Sequence, residues 1–269
     1  MPISNLQEET DFLIESYRRF RLKYANCSGP RNLAPYDHLP FPTSIPMHLS
    51  AFYWMSREFL RELANELNRL DANIEQLRTW SELHDQHDAQ ERMCMMMELI
   101  EPLATVAFSQ PAALRSRFIF AMSHTSHQAN LFAVPGWSEE MLEKDEKINY
   151  KSMELCCSHW PHFGRFLPSF GYLNDKNWQL MIRDFRNKYH HRIPPRFEHG
   201  HTQFIKRNQM DDGSTSYTFG SCHPISIKDC LPELRQQHNH GRQCFDAYSD
   251  LLLEQWSRLN TGSGSTGAI

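Results

Sequence analysis

A mainly α-helical fold, a helical bundle followed by a small β-hairpin appendage and a long C-terminal helix, is what the 269-residue sequence predicts. Three observations carry it. Apolar residues recur at helical spacing through most of residues 4–192, strand signals are confined to residues 202–219, and 40% hydrophobic with 22% charged residues is the balance of a globular chain with a core.

Each element has its own warrant. From Ser4 to Asn26, Leu6, Phe12, Leu13, Tyr17 and Phe20 keep helical spacing until Cys27-Ser28-Gly29-Pro30 ends the pattern. Pro30, Pro35, Pro40, Pro42 and Pro46 then impose an extended, wrapping arm, because each lacks an amide donor and biases its predecessor away from the helical region. Residues 48–80 show the strongest stripe, with Phe52, Leu60, Leu63, Leu67, Leu70 and Leu77 interleaved with charge. Helices are expected at 87–109, 112–131, 138–159 and 174–192. Pro111 and Ser138 are suited to starting them, and Pro135-Gly136 and Pro161 to separating them. Beyond Pro194-Pro195, residues 202–206 and 216–219 flank Asp211-Asp212-Gly213-Ser214, a hairpin turn signal. A last helix over 226–258, interrupted near Gly241, precedes a flexible Thr261-Gly262-Ser263-Gly264-Ser265 tail. The organisation expected is a helix and proline-rich arm (1–47), a bundle (48–195), a hairpin and helix packing on it (196–258) and a tail (259–269).

Composition excludes several classes. The acidic start lacks a signal peptide's basic and apolar regions, and no apolar run approaches the roughly twenty residues a membrane helix needs, so a cytoplasmic protein without a membrane span is expected. Seven cysteines without a C-x-x-C pair read as buried reduced thiols. Neither a phosphate-binding G-x-x-x-x-G-K-[ST] loop, a dinucleotide G-x-G-x-x-G turn nor a G-x-S-x-G elbow occurs, so no cofactor is expected. A net charge of −4 argues against a surface coated for long duplexes, so any nucleic-acid contact must be local.

One segment is local in that sense. Residues 183–207 carry seven basic side chains against Asp184 and Glu198, an excess of +5 within an acidic chain, with His190, His191, His199 and His201 able to add protons. Its structural reading is a solvated helix end whose cations interact favourably with the negative end of the helix dipole. The order Arg186-Asn187-Lys188-Tyr189-His190-His191 adds chemistry: a permanent cation for a phosphate, a hydrogen-bonding amide, and a group that exchanges protons near neutral pH. Arg186 and His190, four apart, share a helical face, whereas His191 lies on another unless the helix loosens before Pro194.

Arg186-Asn187 followed by three residues and His191 resembles the R-x(4–6)-H motif, with a polar residue after the arginine, of the HEPN superfamily of helical-bundle proteins. The resemblance implies a metal-independent endoribonuclease in which Arg186 and His191 act in cleavage with Asn187 supporting them; beside them His190, Lys188, Arg183 and Arg192 of the basic segment are expected to hold the RNA. It further implies a homodimer with a composite site, products ending in a 2′,3′-cyclic phosphate and a 5′-hydroxyl, and a role as a toxin or antiphage defence effector with a cognate antitoxin protein. Arg117 and His124 match the spacing too, but Phe118 follows the arginine in an apolar stretch.

Two alternatives stand beside it. The bundle can be a non-catalytic module that binds a protein or nucleotide through its basic end. His124 and His127, at i and i+3, can serve a metal-dependent hydrolase if a third ligand comes from elsewhere. Met93, Met95, Met96 and Met97 point around a helix and read as core. Trp80, Trp137, Trp160 and Trp178 fall at helix ends and lock elements together, and no stacking platform for bases is predicted.

Overall fold

The computed structural model describes residues 6–26, 31–36, 45–210 and 212–262, and the fold is mainly helical with one two-stranded hairpin among them. The first helix, α1 (Leu6–Ala25), buries Phe20, which stacks on Trp80 with centroids 4.3 Å apart. Of the arm, Ala34 is fixed by Asn68, whose amide accepts from Ala34 N at 2.7 Å and donates to Ala34 O at 3.0 Å. Residues 37–44, the Cys27–Pro30 stop and Asp211 of the hairpin turn lie outside the described residues.

The predicted stripe forms α2 (Ser50–His84), with Phe52, Leu60, Leu67, Leu70 and Leu77 at 0% exposure. A capping box at Asp88 starts α3 (Ala89–Met95), which continues through a π turn at Met96–Ile100 into α4 (Glu101–Ala133). The expected break at Pro111 is absent, and the proline lies inside α4. It costs one backbone hydrogen bond, while Phe108 and Leu114, both at 0% exposure, hold the helix on either side. The ladder instead widens just before Pro102, whose ring would crowd a carbonyl four residues earlier.

The expected helix over 138–159 reduces to two single 3₁₀ turns, Glu139–Met141 and Asp145–Lys147, and then α5 (Tyr150–Cys157). No residue from 138 to 149 is buried, so nothing there pays for helix nucleation. The pattern does not predict α6 (Phe163–Tyr172), because Pro161 and Pro168 mask the spacing of Phe163, Phe166 and Phe170, all buried. The expected helix over 174–192 is two, α7 (Lys176–Met181) and α8 (Phe185–His191).

Strands β1 (Ile205–Gln209) and β2 (Thr215–Phe219) pair antiparallel about the predicted turn, where Gly213 has φ +81°. The last helix, α9 (Ile227–Gly262), runs without interruption through Gly241. That glycine permits a close approach, since a Cβ there would lie 2.7 Å from Leu67 Cδ2. The tail beyond Gly262 lies outside the described residues.

The chain forms two units of interleaved segments. One comprises Met1–Arg31, Asp71–Gln110 and Asp175–Gln236. Its core joins Phe108 to Trp178 (5.6 Å) and Phe197 (5.2 Å), and Phe197 to Phe185 (4.7 Å). Asp71, 1% exposed at its side chain, accepts there from Arg31 at 2.7 Å and Arg235 at 2.5 Å. The other comprises Asn32–Leu70, Pro111–Asn174 and Gln237–Ile269. Its aromatic core includes Phe118, Phe166 and Phe170, and buried polar groups pair within it: Trp160 donates to Asn130 at 2.7 Å and Gln255 to Ser126 at 2.8 Å.

Candidate active site on a short basic helix

The candidate residues gather around the elbow between α7 and α8. Asp175 caps α7 by accepting from Trp178 N at 2.9 Å, and buried Trp178 anchors that helix. The helix ends in a Schellman arrangement: Asp184 N donates to Gln179 O at 2.7 Å and Arg183 N to Leu180 O at 3.0 Å. Glycine usually takes the left-handed position of that motif; here Arg183 (φ 53°) and Asp184 (φ 56°) both adopt it. With neither glycine nor proline at 182–184, the turn leaves no mark in the sequence.

After the elbow, Phe185 is 2% exposed and fixes α8 to the core, which turns Arg186, Asn187, His190 and His191 outward; all four are exposed. Because α8 stays α-helical through His191, the five steps from Arg186 to His191 separate them by about 140° around the axis. Arg186 and His190 share one side. Asn187 and His191 share another, next to Lys188. Asn187 Nδ2 donates to Asp184 Oδ2 at 3.0 Å. Among the described residues, the side chains of Arg186, Lys188 and Arg192 have no hydrogen-bond or ion-pair partner. His190 packs edge-on to Tyr189 at 5.4 Å and lies 6.2 Å from the His191 ring.

The elbow also shapes an open pocket of about 360 Å³ lined by Lys176, Gln179, Leu180, Arg183, Asp184 and Lys188. Arg183 reaches Cys222 Sγ at 3.9 Å. Arg183 and Lys188 are legible in the sequence as part of the basic segment, whereas Lys176 stands outside it and only its seven-residue spacing from Arg183 signals a shared site. The acids of the segment do not offset these cations freely. Asp184 is tied to Asn187, and Glu198 accepts from Ile227 N at 2.5 Å while burial pushes its pKa above the usual carboxylate range. Arg196 alone of the segment's cations pairs with an acid, Glu101 at 3.3 Å, among the described residues. The exposed face of α8 is therefore basic.

The histidines on α4 are otherwise employed. Trp137 Nε1, which can only donate, bonds His127 Nδ1 at 3.0 Å, so the ring proton sits on Nε2 and donates to Glu139 Oε2 at 3.0 Å. His124 Nε2 lies 3.3 Å from Asp145 Oδ1, and its ring packs on Phe120 at 4.3 Å; desolvation holds its pKa below the ordinary value, with Asp145 opposing. Both nitrogens of His127 are thus engaged within the chain, which weighs against the alternative of a His124/His127 metal pair. Among the described residues no cluster of three His, Cys, Asp or Glu is arranged to hold a metal ion.

The described cysteines are free and buried. Burial pushes Cys94 up to about 11 and Cys156 and Cys230 up to about 12, so they are thiols rather than thiolate nucleophiles at neutral pH. No described helix is long and apolar enough to cross a membrane. Compared with models of known families, with curated proteins and with solved structures, the chain matches none.

Proposed function

We propose that this chain cleaves RNA without a metal ion, in the manner implied by its resemblance to the HEPN superfamily, at Arg186, Asn187 and His191. The observation that carries the reading is an exposed, ion-unpaired Arg186 followed by Asn187 and two outward histidines, on a helix where Asp184 accepts from the Asn187 amide and Glu198 from the amide of Ile227. On this reading the ribose 2′-hydroxyl attacks the adjacent phosphorus and the 5′-oxygen leaves. His191 exchanges the protons, and the Arg186 guanidinium balances charge building on the phosphoryl oxygens. Asn187, its amide nitrogen held by Asp184, keeps its carbonyl oxygen for an acceptor role on the side it shares with His191. Arg183, Lys188, Arg192 and His190 hold the flanking backbone.

The angle of about 140° between Arg186 and His191 keeps both from one phosphate on a single helix, which favours a homodimer in which each centre takes its arginine and histidine from different copies. A cytoplasmic toxin or defence effector with an antitoxin protein as its partner belongs to the same proposal. A second reading, binding of RNA or a nucleotide without turnover, is favoured by the elbow pocket, which presents Lys176, Arg183 and Lys188 without any histidine.

The test uses 5′-labelled RNA with EDTA present. Arg186→Ala and His191→Ala are each expected to abolish cleavage with fold and oligomeric mass intact, and unchanged cleavage in both overturns the proposal. Saturable binding without turnover by the unaltered chain selects the second reading.

A further inference from the structure

The hairpin presents an aromatic face that no described residue covers. Alternate strand residues share a face and cross-strand partners stand together, so the register groups Ile205 with Phe219, Arg207 with Tyr217, and Gln209 with Thr215. On that face Phe219 is 88% exposed, Tyr217 65% and Ile205 59%. The reverse face is polar, with Asn208 Nδ2 donating to Thr218 Oγ1 at 2.8 Å and Lys206 beside it. Gln203 Nε2, just before β1, donates to Ile193 O at 3.1 Å and so ties the base of the ribbon to the segment leaving α8.

The dimensions match nucleobases. Tyr217 and Phe219, two residues apart on one strand, stand about 7 Å from each other, twice the roughly 3.4 Å rise between stacked bases, so a base fits between or successive bases lie over the two rings. Arg207 stands across from Tyr217 to meet a phosphate or stack in turn. A second copy of the chain is a poorer fit. Two rings and an isoleucine expose on the order of 400 Å², about half of what each side of a stable protein interface contributes.

We propose that this face is a stacking platform for unpaired bases, which makes single-stranded RNA the substrate class of the site on α8; the inference rests on the RNA reading above. A duplex hides its base faces and gains nothing from the rings.

The test measures fluorescence anisotropy of a labelled, unstructured RNA of about twelve nucleotides and of the matching duplex, in an Arg186→Ala background so that turnover does not consume the probe. Tyr217→Leu and Phe219→Leu retain apolar strand residues but remove the π face. Each is expected to weaken single-strand binding about 5- to 150-fold while leaving duplex binding unchanged, and Tyr217→Trp to retain affinity. Leucine variants within twofold of the parent overturn the proposal, as does an equal loss on single strand and duplex. Intact RNA affinity with a lowered oligomeric mass assigns the face to a second copy and also overturns it. Ring-dependent binding by an unaltered chain that never cleaves RNA refutes the cleavage reading and leaves the platform standing.

Discussion

Mixing two dead variants is the sharpest probe of the site on α8. If that helix sets Arg186 and His191 about 140° apart, one copy supplies the arginine and the other the histidine. Arg186→Ala and His191→Ala homodimers then lack one half of both centres, and each falls by about 10²- to 10⁴-fold. In a heterodimer of the two, one centre lacks both groups and the other keeps Arg186 from one copy and His191 from its partner. Random exchange at equal concentrations makes about half the dimers mixed, each with one live centre of two, so the mixture recovers about a quarter of the wild-type rate. The assay is initial-rate cleavage of labelled RNA in EDTA after the variants are unfolded together and refolded, with each variant refolded alone as the control. No recovery above the controls refutes the division of labour and moves the histidine role to His190, which shares Arg186's side of the helix.

Three further outcomes follow from the geometry. Asp71→Asn removes the charge that Arg31 and Arg235 share; both arginines keep access to water, so the expected loss is about 2–4 kcal/mol, read as a fall in Tm, and no measurable fall refutes the pairing. Gly241→Ala sets about 1 kcal/mol of helix propensity against overpacking of Leu67 by about 1–3 kcal/mol, so urea denaturation is expected to show net loss, and a stabilised variant would mean that Leu67 yields freely. His84 is held below its ordinary pKa by desolvation first and by neighbouring His199 and Arg92 next. Its neutral form therefore supports the fold fully above about pH 6.5, and that support is lost as pH falls toward the lowered value. Replacing it with Leu should flatten the acid side of the stability profile, whereas an unchanged slope assigns the acid loss elsewhere.

What could be read from the chain alone follows from how local its cause is. The stripe of α2, the hairpin turn and most of α9 depend on neighbours within a turn or two and were legible. Pro111 and Gly241 suggested breaks because the tertiary contacts that carry a helix through them, Leu114 for one and Leu67 for the other, come from packing. The true break at 182–184 was invisible because Arg183 and Asp184 adopt a conformation that composition assigns to glycine. The basic residues of the site were legible as charge, but the elbow is what brings Arg183 and Lys188 to one pocket with Lys176. Tyr217 and Phe219 read as ordinary strand residues until register and exposure placed both rings uncovered on one face.

The elbow and α8 join two features, left-handed backbone and unpaired cations. Two consecutive residues without glycine's freedom hold left-handed backbone, each at a cost of order 1–3 kcal/mol. The seven-residue helix that follows presents Arg186, Lys188 and Arg192 with no acidic partner among the described residues, although two carboxylates lie within the segment. A helix end built for stability would turn Asp184 and Glu198 toward those cations. Here Asp184 instead fixes the Asn187 amide, and Glu198 is withdrawn to the amide of Ile227. The left-handed residues, Arg183 and Asp184, thus directly precede the unneutralised cations of α8, and buried Trp178 and Phe185 flank the elbow. Left-handed backbone also occurs at Asn174, Glu198 and Gln203, so it is the unneutralised charge beside the elbow that supports the proposed anionic ligand.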